Sequence, residues 1–247
     1  MAGQALRAAT QTVDVDHHVH SMHAYFVRPG LPGEPITMQV ARIRDGRSFT
    51  TRNVLAVQGD ETIFSMSASF QRQEDGEEYQ LPMAGDVSDP DDTPPPAFMP
   101  RAMGGMDIRE VGPTAPDPDG TYRSTRRVWM RATVDLPDDP DVHASVIAFM
   151  SDMGVVMAAR PPREGHDWRR MMGASLDHAL WFHRPTRADQ WLLYDLHSLS
   201  TSNARGLVRG TMHTREGVLA LSMTQEALIR VPRPGTPQPH WEPGPEA

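Results

Sequence analysis

Neither cysteine nor lysine occurs among the 247 residues. The first absence excludes disulfides, thiolate metal sites and a cysteine nucleophile, and it fits a reducing compartment, so a cytoplasmic location is the expectation. The second makes all 24 basic residues arginine, so an anionic substrate must be held by guanidinium forks, helix ends or backbone amides. Long apolar runs are missing too. No stretch approaches a bilayer span, and the N-terminus lacks the basic-then-apolar pattern of a secretory signal, so no membrane partner is expected. Excess positive charge is absent, and a net charge of −8 argues against a general nucleic-acid binder. What is present, 38% hydrophobic and 23% charged residues, describes a soluble globular chain. It is long enough for one large domain or two small ones with a sizeable core.

The composition shifts after Gln73. Residues 74–103 contain "PDDTPPP" and many acids, with almost no periodic apolar pattern, and read as a linker or a long surface excursion. Before it, residues 36–41, 49–58 and 62–71 read as strands joined by turns at "RDG" and "GD". After it, 106–111 and 127–134 read as strands. The stretch "PDDPDVHASVIAFMSDMG" reads as a helix with Asp141 as N-cap and an end near Gly154. Strands over 175–182, 190–200 and 206–212 follow, and a turn at "REG" leads to a last strand over 218–230.

The two halves echo each other. "HAYFVRPG" resembles "ALWFHRPT" at an offset of 156, "TRNVLAV" resembles "ARGLVRG" at 153, and "IFSMSASFQ" resembles "VLALSMTQE" at 155. Three blocks in one order at nearly constant offset suggest an internal duplication. The repeated unit would be one helix followed by an antiparallel meander, with the helix on one face of the sheet to bury its apolar stripe.

Some polar residues fall in apolar places. Gln225 sits mid-strand on the face that carries Leu219, Leu221, Met223, Ala227 and Ile229. A buried amide without partners costs about 1–3 kcal/mol, so something polar should meet it. Asp152 shares a helical stripe with Ala148 and Phe149, and a buried carboxylate needs hydrogen bonds or a cation. Ser175 opens the strand "GASLDHALWFHRP", where Ser175, Asp177, Ala179, Trp181 and His183 alternate with Leu176, His178, Leu180 and Phe182. An acid, a hydroxyl and an amide could converge where helix meets sheet. The plainer alternative ends Asp152 in water and Gln225 near a strand end. His178 and His183 point to opposite faces and cannot both serve Ser175, so a local Ser/His/Asp triad is not expected. In "DVDHHVH", Asp16, His18 and His20 share a strand face at a spacing that can hold a divalent ion. A metallohydrolase would need further ligands from alternating strands and helices, which the first half lacks. Structural roles are expected for these histidines, with no metal and no cofactor.

The motifs "VHSMHAYFVRPG", "RDGRSFTTRNVLAVQ", "SMSASFQ", "DHALWFHRP", "NARGLVRG" and "MTQEALIR" together resemble the type II acyl-CoA thioesterases. They occur in order and span most of the chain outside 74–105. The resemblance implies an α+β double hotdog, two fused units each with a long helix wrapped by an antiparallel sheet. It divides the chain into a first unit at 1–73, the linker at 74–103, a second unit at 104–232 and a Pro-rich tail at 233–247. It implies hydrolysis of fatty acyl-CoA to free acid and coenzyme A, with a catalytic set of Asp152, Ser175 and Gln225. Asp152 would be the general base for a water molecule, with Ser175 and Gln225 orienting water and thioester. An apolar tunnel between helix and sheet would take the acyl chain, and Arg205 and Arg209 are candidates for the coenzyme A phosphates. A homo-oligomer is expected.

Relatives in that family carry about thirty more residues ahead of "GQAL", so the first hotdog is expected to lack its opening strand and part of its helix. The alternative function is a non-catalytic acyl-CoA-binding or scaffold protein inactivated by that shortening.

Overall fold

The computed structural model describes residues 1–96, 105–111, 126–159 and 172–230. The expected tail at 233–247 and the end of the expected linker, 97–103, lie outside these residues.

The first half opens with α1 (Ala2–Thr10), whose Ala2, Ala5, Leu6 and Ala9 recur at helical spacing and are all buried. Four strands follow: β1 (His17–Phe26), β2 (Thr37–Asp45), β3 (Phe49–Gln58) and β4 (Glu61–Arg72). Gln58 pairs with Glu61, so β3 and β4 join through two residues, and Gly59 takes the positive φ of +58° that such a turn requires. Arg52 on β3 is buried and reaches back to the end of α1, donating to the Thr12 hydroxyl and carbonyl at 2.8 Å each.

The second half begins with a hairpin, β5 (Met106–Glu110) and β6 (Arg126–Ala132), before α2 (Pro140–Met150) and the single turn α3 (Val155–Ala158). Then come β7 (Met172–Ser175), β8 (Asp177–Phe182), β9 (Leu192–Ser202), β10 (Arg205–Thr214) and β11 (Leu219–Arg230). The N-cap of α2 is Asp139, not Asp141. Its side chain accepts from the Asp141 amide at 2.9 Å, and Pro140 takes the first helical position, where a missing N–H costs nothing.

All strands form one antiparallel sheet in the order β2-β3-β4-β1-β8-β11-β10-β9-β6-β5, with β7 paired to β11. The helices lie against its inner face, where Phe64, Met66, Ala68 and Phe70 of β4 and the odd-numbered residues of β11 are buried. Each half is thus a helix wrapped by a meander, a double hotdog. The hairpin β5–β6 covers the edge of β9. Among the described residues no strand pairs with the outer edge of β2, where Arg42 and Arg44 blunt an open strand.

The halves meet at β1 and β8, and their register carries the duplication. Ser21 pairs with Trp181 and Tyr25 with Asp177, so adding 156 to either partner on β1 gives the partner of the other. From that seam, β4 maps to β11 at an offset of 157 and β3 to β10 at 156. The later two repeat blocks therefore align two and three residues further along than sequence similarity placed them. Arg52 is the counterpart of Val208, not of Arg205.

The Pro- and Asp-rich segment runs without helix or strand from 73 to 96. It is pinned to the outer face of the second half. Met83 and Val87 pack on Trp129, Trp191 and Leu193. Trp129 Nε1 donates to the Ser88 carbonyl at 2.9 Å, and Gln80 bonds both Gly217 and Leu219 of the neighbouring turn.

Leu180 sits on the seam with no exposed surface and faces Met22 across it. Leu180→Ala is expected to destabilise the chain by about 2–5 kcal/mol, read from denaturant unfolding of the two proteins.

Candidate active site

The end of α2 is held rigidly. Gly154 follows at φ +79°, a conformation that favours glycine, and the Arg126 guanidinium lies where a β-carbon would project and would have to move for one. Tyr194, fully buried on β9, donates its hydroxyl to the Ser151 carbonyl at 2.6 Å. Burial first, and the charge of Asp152 second, push the Tyr194 phenol well above its usual range, so it stays a neutral donor. These contacts fix the turn from which Asp152 projects toward the sheet.

Ser175 is the last residue of β7 and pairs with Ala227, whereas Ala179 on β8 pairs with Thr224. The two registers differ by one residue, so the chain bulges at Leu176. The Asp177 carboxylate accepts from the Glu226 amide at 2.6 Å, filling the gap that the bulge leaves in the ladder. Strict alternation, as read from the sequence, puts Ser175 and His178 on opposite faces. The bulge overturns that and turns both to the helix side.

Three side chains then close a triangle. Ser175 Oγ donates to Asp152 Oδ1 at 2.9 Å. Gln225 Nε2, fully buried, donates to Asp152 Oδ1 at 3.0 Å and to Ser175 Oγ at 2.8 Å. The sequence-expected set is thus brought together on the end of α2, the end of β7 and the middle of β11. Asp152 and Ser175 are half-buried. A carboxylate fixed by two neutral donors on one oxygen can accept a proton from a water molecule beside it. The Ser175 hydroxyl spends its proton on that carboxylate, and no imidazole among the described residues bonds it.

An apolar cleft of about 760 Å³ opens between α1 and α2, lined by Gln4, Arg7, Met106, Val142, Val146 and Phe149 among others. The expected tunnel lay between helix and sheet; this cleft lies between the two helices. Its α2 wall is formed by Val142, Val146 and Phe149 at helical spacing, and Asp152 follows three residues after Phe149, in the turn beyond the helix. Met1 also lines it, and its amino group feels the charge of Asp152.

The other candidates fall elsewhere. Arg205 pairs with Glu226 at 2.7 Å, and Arg209 is exposed; both lie on the outer face of β10, away from Gln225. His183 is exposed and bonded to Ser222 at 2.8 Å, on the face opposite His178 as expected. Asp16, His18 and His20 do not converge. Asp16 binds His17 and Arg72, His18 approaches Asp141 at 3.9 Å, and His20 bonds Ser69 at 2.8 Å. Asp14, Asp16 and His17 do bring ligand atoms within 4.8 Å of one another, but Asp16 is already engaged.

The first half has no second copy of the triangle. At the offsets set by strand register, Ser175, His178 and Gln225 correspond to Val19, Met22 and Ala68, all buried and apolar. Sequence reasoning passed over Ser151, Tyr194 and the buried side of His178. Tyr194 lies in the unbroken apolar run "WLLY" and gives no signal. His178 carried the same signal as Gln225, a polar residue on an apolar strand face.

Residues 1–71 match the family described as the acyl-CoA thioesterase N-terminal domain, and residues 77–229 match the acyl-CoA thioesterase C-terminal domain. The chain is 36% identical to human acyl-coenzyme A thioesterase 8 over 94% of its own length and 79% of the relative's. It is 31% identical to acyl-CoA thioesterase 2 of Haemophilus influenzae over 93% and 86%. Its fold superposes on acyl-CoA thioesterase II TesB2 of Mycobacterium marinum with a TM-score of 0.84 and 43% identity, covering 94% of this chain and 88% of that one.

Tyr194→Phe would leave the buried Ser151 carbonyl unpaired. A loss of about 1–3 kcal/mol is expected, measured by denaturant unfolding.

Proposed function

The chain belongs to the acyl-CoA thioesterase family, and from that premise we propose that it hydrolyses fatty acyl-CoA thioesters at Asp152, Ser175 and Gln225. The observation that carries the assignment of these residues is the closed triangle of hydrogen bonds around Asp152 Oδ1. Asp152 takes a proton from a water molecule as the water oxygen attacks the thioester carbonyl carbon. Backbone amides near the site stabilise the oxyanion that forms, since both N–H groups of Gln225 are donated to Asp152 and Ser175. Collapse breaks the carbon–sulfur bond, and the coenzyme A thiolate leaves and recovers the proton from Asp152, directly or through water. Ser175 orients the attacking water and is not acylated, since its own proton is held by Asp152 and Gln225 donates to its lone pair. A non-catalytic acyl-CoA scaffold would not require these groups to be aligned, and no observation favours it.

The acyl chain lies in the cleft between α1 and α2, whose apolar wall ends at Phe149, three residues before Asp152. Arg209, exposed on β10, is available to a coenzyme A phosphate, while Arg205 would first have to leave Glu226. The same reading divides the chain into a first unit to residue 73, a linker over 74–103 and a second unit from 104 to 232; the matched C-terminal domain begins earlier, at residue 77. Self-association at the open edge of β2 belongs to this reading as well, supported by exposed Ile43 and Leu55 beside that edge. No helix among the described residues is long and apolar enough to cross a membrane. A cytoplasmic location is supported by the cysteine-free composition.

Asp152→Asn keeps the side-chain shape but removes the base. Turnover of acyl-CoA, followed by release of free thiol, is expected to fall by about 10²–10⁴-fold. Near wild-type turnover in the folded variant, or an acyl group found on Ser175 by mass spectrometry, would sink this mechanism.

Val146→Trp fills the cleft about two turns from Asp152. It should lower kcat/KM for long acyl chains by about 10-fold or more while leaving short chains within about threefold. An equal effect across a chain-length series would place the acyl group elsewhere.

A further inference from the structure

The triangle around Asp152 works only with one orientation of the Gln225 amide. Its NH₂ must face Asp152 and Ser175, because an amide oxygen there would meet the carboxylate lone pairs. The outward end, Oε1, is buried and completes no well-formed hydrogen bond. One other buried polar atom at this spot is in the same condition, His178 Nδ1. The register of β8 and β11 runs from Leu221 opposite Phe182 to Thr224 opposite Ala179, and one further step sets Gln225 opposite His178. The two side chains are near enough for the Gln225 amide to favour protonation of the ring.

The far side of the ring is also engaged. His178 Nε2 lies 2.8 Å from Ser151 Oγ, and the single Ser151 hydroxyl proton can be donated either to that nitrogen or to the Ala148 carbonyl at 3.0 Å. His178 has no exposed surface, and burial lowers its basicity against the opposing pull of Asp152, so the ring is held neutral. A neutral imidazole carries one N–H, and its neighbours decide where. If Nε2 holds the proton, the Nδ1 lone pair faces the Gln225 oxygen and both atoms are left without a donor. If Nδ1 holds it, Nδ1–H reaches Oε1, and Nε2 accepts from Ser151.

Resting on the thioesterase reading above, we propose that His178 is a positioning residue, whose neutral Nδ1–H tautomer donates to Gln225 Oε1 and so holds the Gln225 amide with its NH₂ toward Asp152 and Ser175. Ser151 sets the tautomer by donating to Nε2. The relay joins the end of α2 to the centre of the sheet: Ser151 to His178, His178 to Gln225, Gln225 to Asp152 and Ser175. The ring itself touches no substrate and moves no proton in the reaction.

Two measurements test this. In the full chain labelled with ¹⁵N-histidine, the resonances missing from His178→Asn identify the ring. A neutral ring protonated at Nδ1 in the wild-type protein is expected, and Ser151→Ala should shift the proton toward Nε2. A wild-type ring protonated at Nε2 overturns the proposal whether or not the protein is a thioesterase, so this arm fails separately from the functional reading. In the kinetic arm, His178→Asn offers an amide N–H where Nδ1–H stood, and His178→Leu offers none. His178→Leu should lower kcat by about 10–100-fold with KM within about threefold, the expected loss of a buried hydrogen bond felt at the reacting centre. His178→Asn should recover most of that kcat. Equal losses in both variants, a loss confined to KM, or wild-type kcat in folded His178→Leu overturns the proposal. Should His178→Leu fail to fold, the tautomer and the kcat of His178→Asn against wild type still decide it.

Discussion

Asp152 Oδ1 accepts hydrogen bonds from two sheet residues while its backbone belongs to the end of a helix. A half-buried carboxylate at a helix–sheet boundary is unfavourable unless donors meet it. Here Ser175 and Gln225 supply them from two strands. Those bonds tie three elements together, and each element is constrained in turn. The helix must stop where Gly154 can take a left-handed conformation beneath Arg126. Tyr194 must reach the Ser151 carbonyl. The strand that carries Ser175 must bulge at Leu176. Removing the carboxylate would leave the amide and hydroxyl buried without their acceptor, so the site is also a structural junction.

The bulge is common to both halves, whereas the polar set occupies only one. β1 shows the same irregularity between Val19 and Ser21, and the 156-residue offset maps it onto Ser175 and Asp177. Both halves therefore offer three inward positions around the bulge. In the second half these hold Ser175, His178 and Gln225; in the first they hold Val19, Met22 and Ala68. One geometry supports a polar site or an apolar core depending only on side chains.

Much of this was legible in the sequence. Gln225 stood out because β11 alternates cleanly and one member of its buried row is an amide. Asp152 stood out on an otherwise apolar helical stripe. The strands of both hairpins and the helix after "PDD" followed from period and turn chemistry. What could not be read was register. Period-2 alternation predicts opposite faces for Ser175 and His178, and a single inserted residue reverses that prediction without any local sequence signature. The same slips misplaced two of the three repeat blocks. Similarity between short segments follows side-chain types, whereas register follows pairing with strands distant in sequence. The N-cap moved from Asp141 to Asp139 for a local reason: with several acids in a row, Pro140 decides which one stands outside the helix. The seating of residues 77–96 on Trp129 and Trp191 was hidden because polar loop composition does not say what surface a loop covers.

The two halves divide their work along the seam. An apolar row at Val19, Met22 and Ala68 lets the first half pack its sheet tightly under α1 and needs no buried donors. That freedom matters for the cleft. α1 approaches α2 so closely that Gly3 abuts the Ser145 carbonyl and Phe149, and the space left beside this crossing is the apolar cleft whose α2 wall ends at Phe149. The two helices run antiparallel: Gly3 near the start of α1 meets Ser145 and Phe149, and Arg7 in its last turn pairs with Asp139 at the start of α2. The end of α1 therefore lies at the opposite end of the helix pair from Asp152. With the polar set confined to the second half, the first half needs no buried donor at its bulge, and α1 packs on α2 through small and apolar side chains beside the cleft.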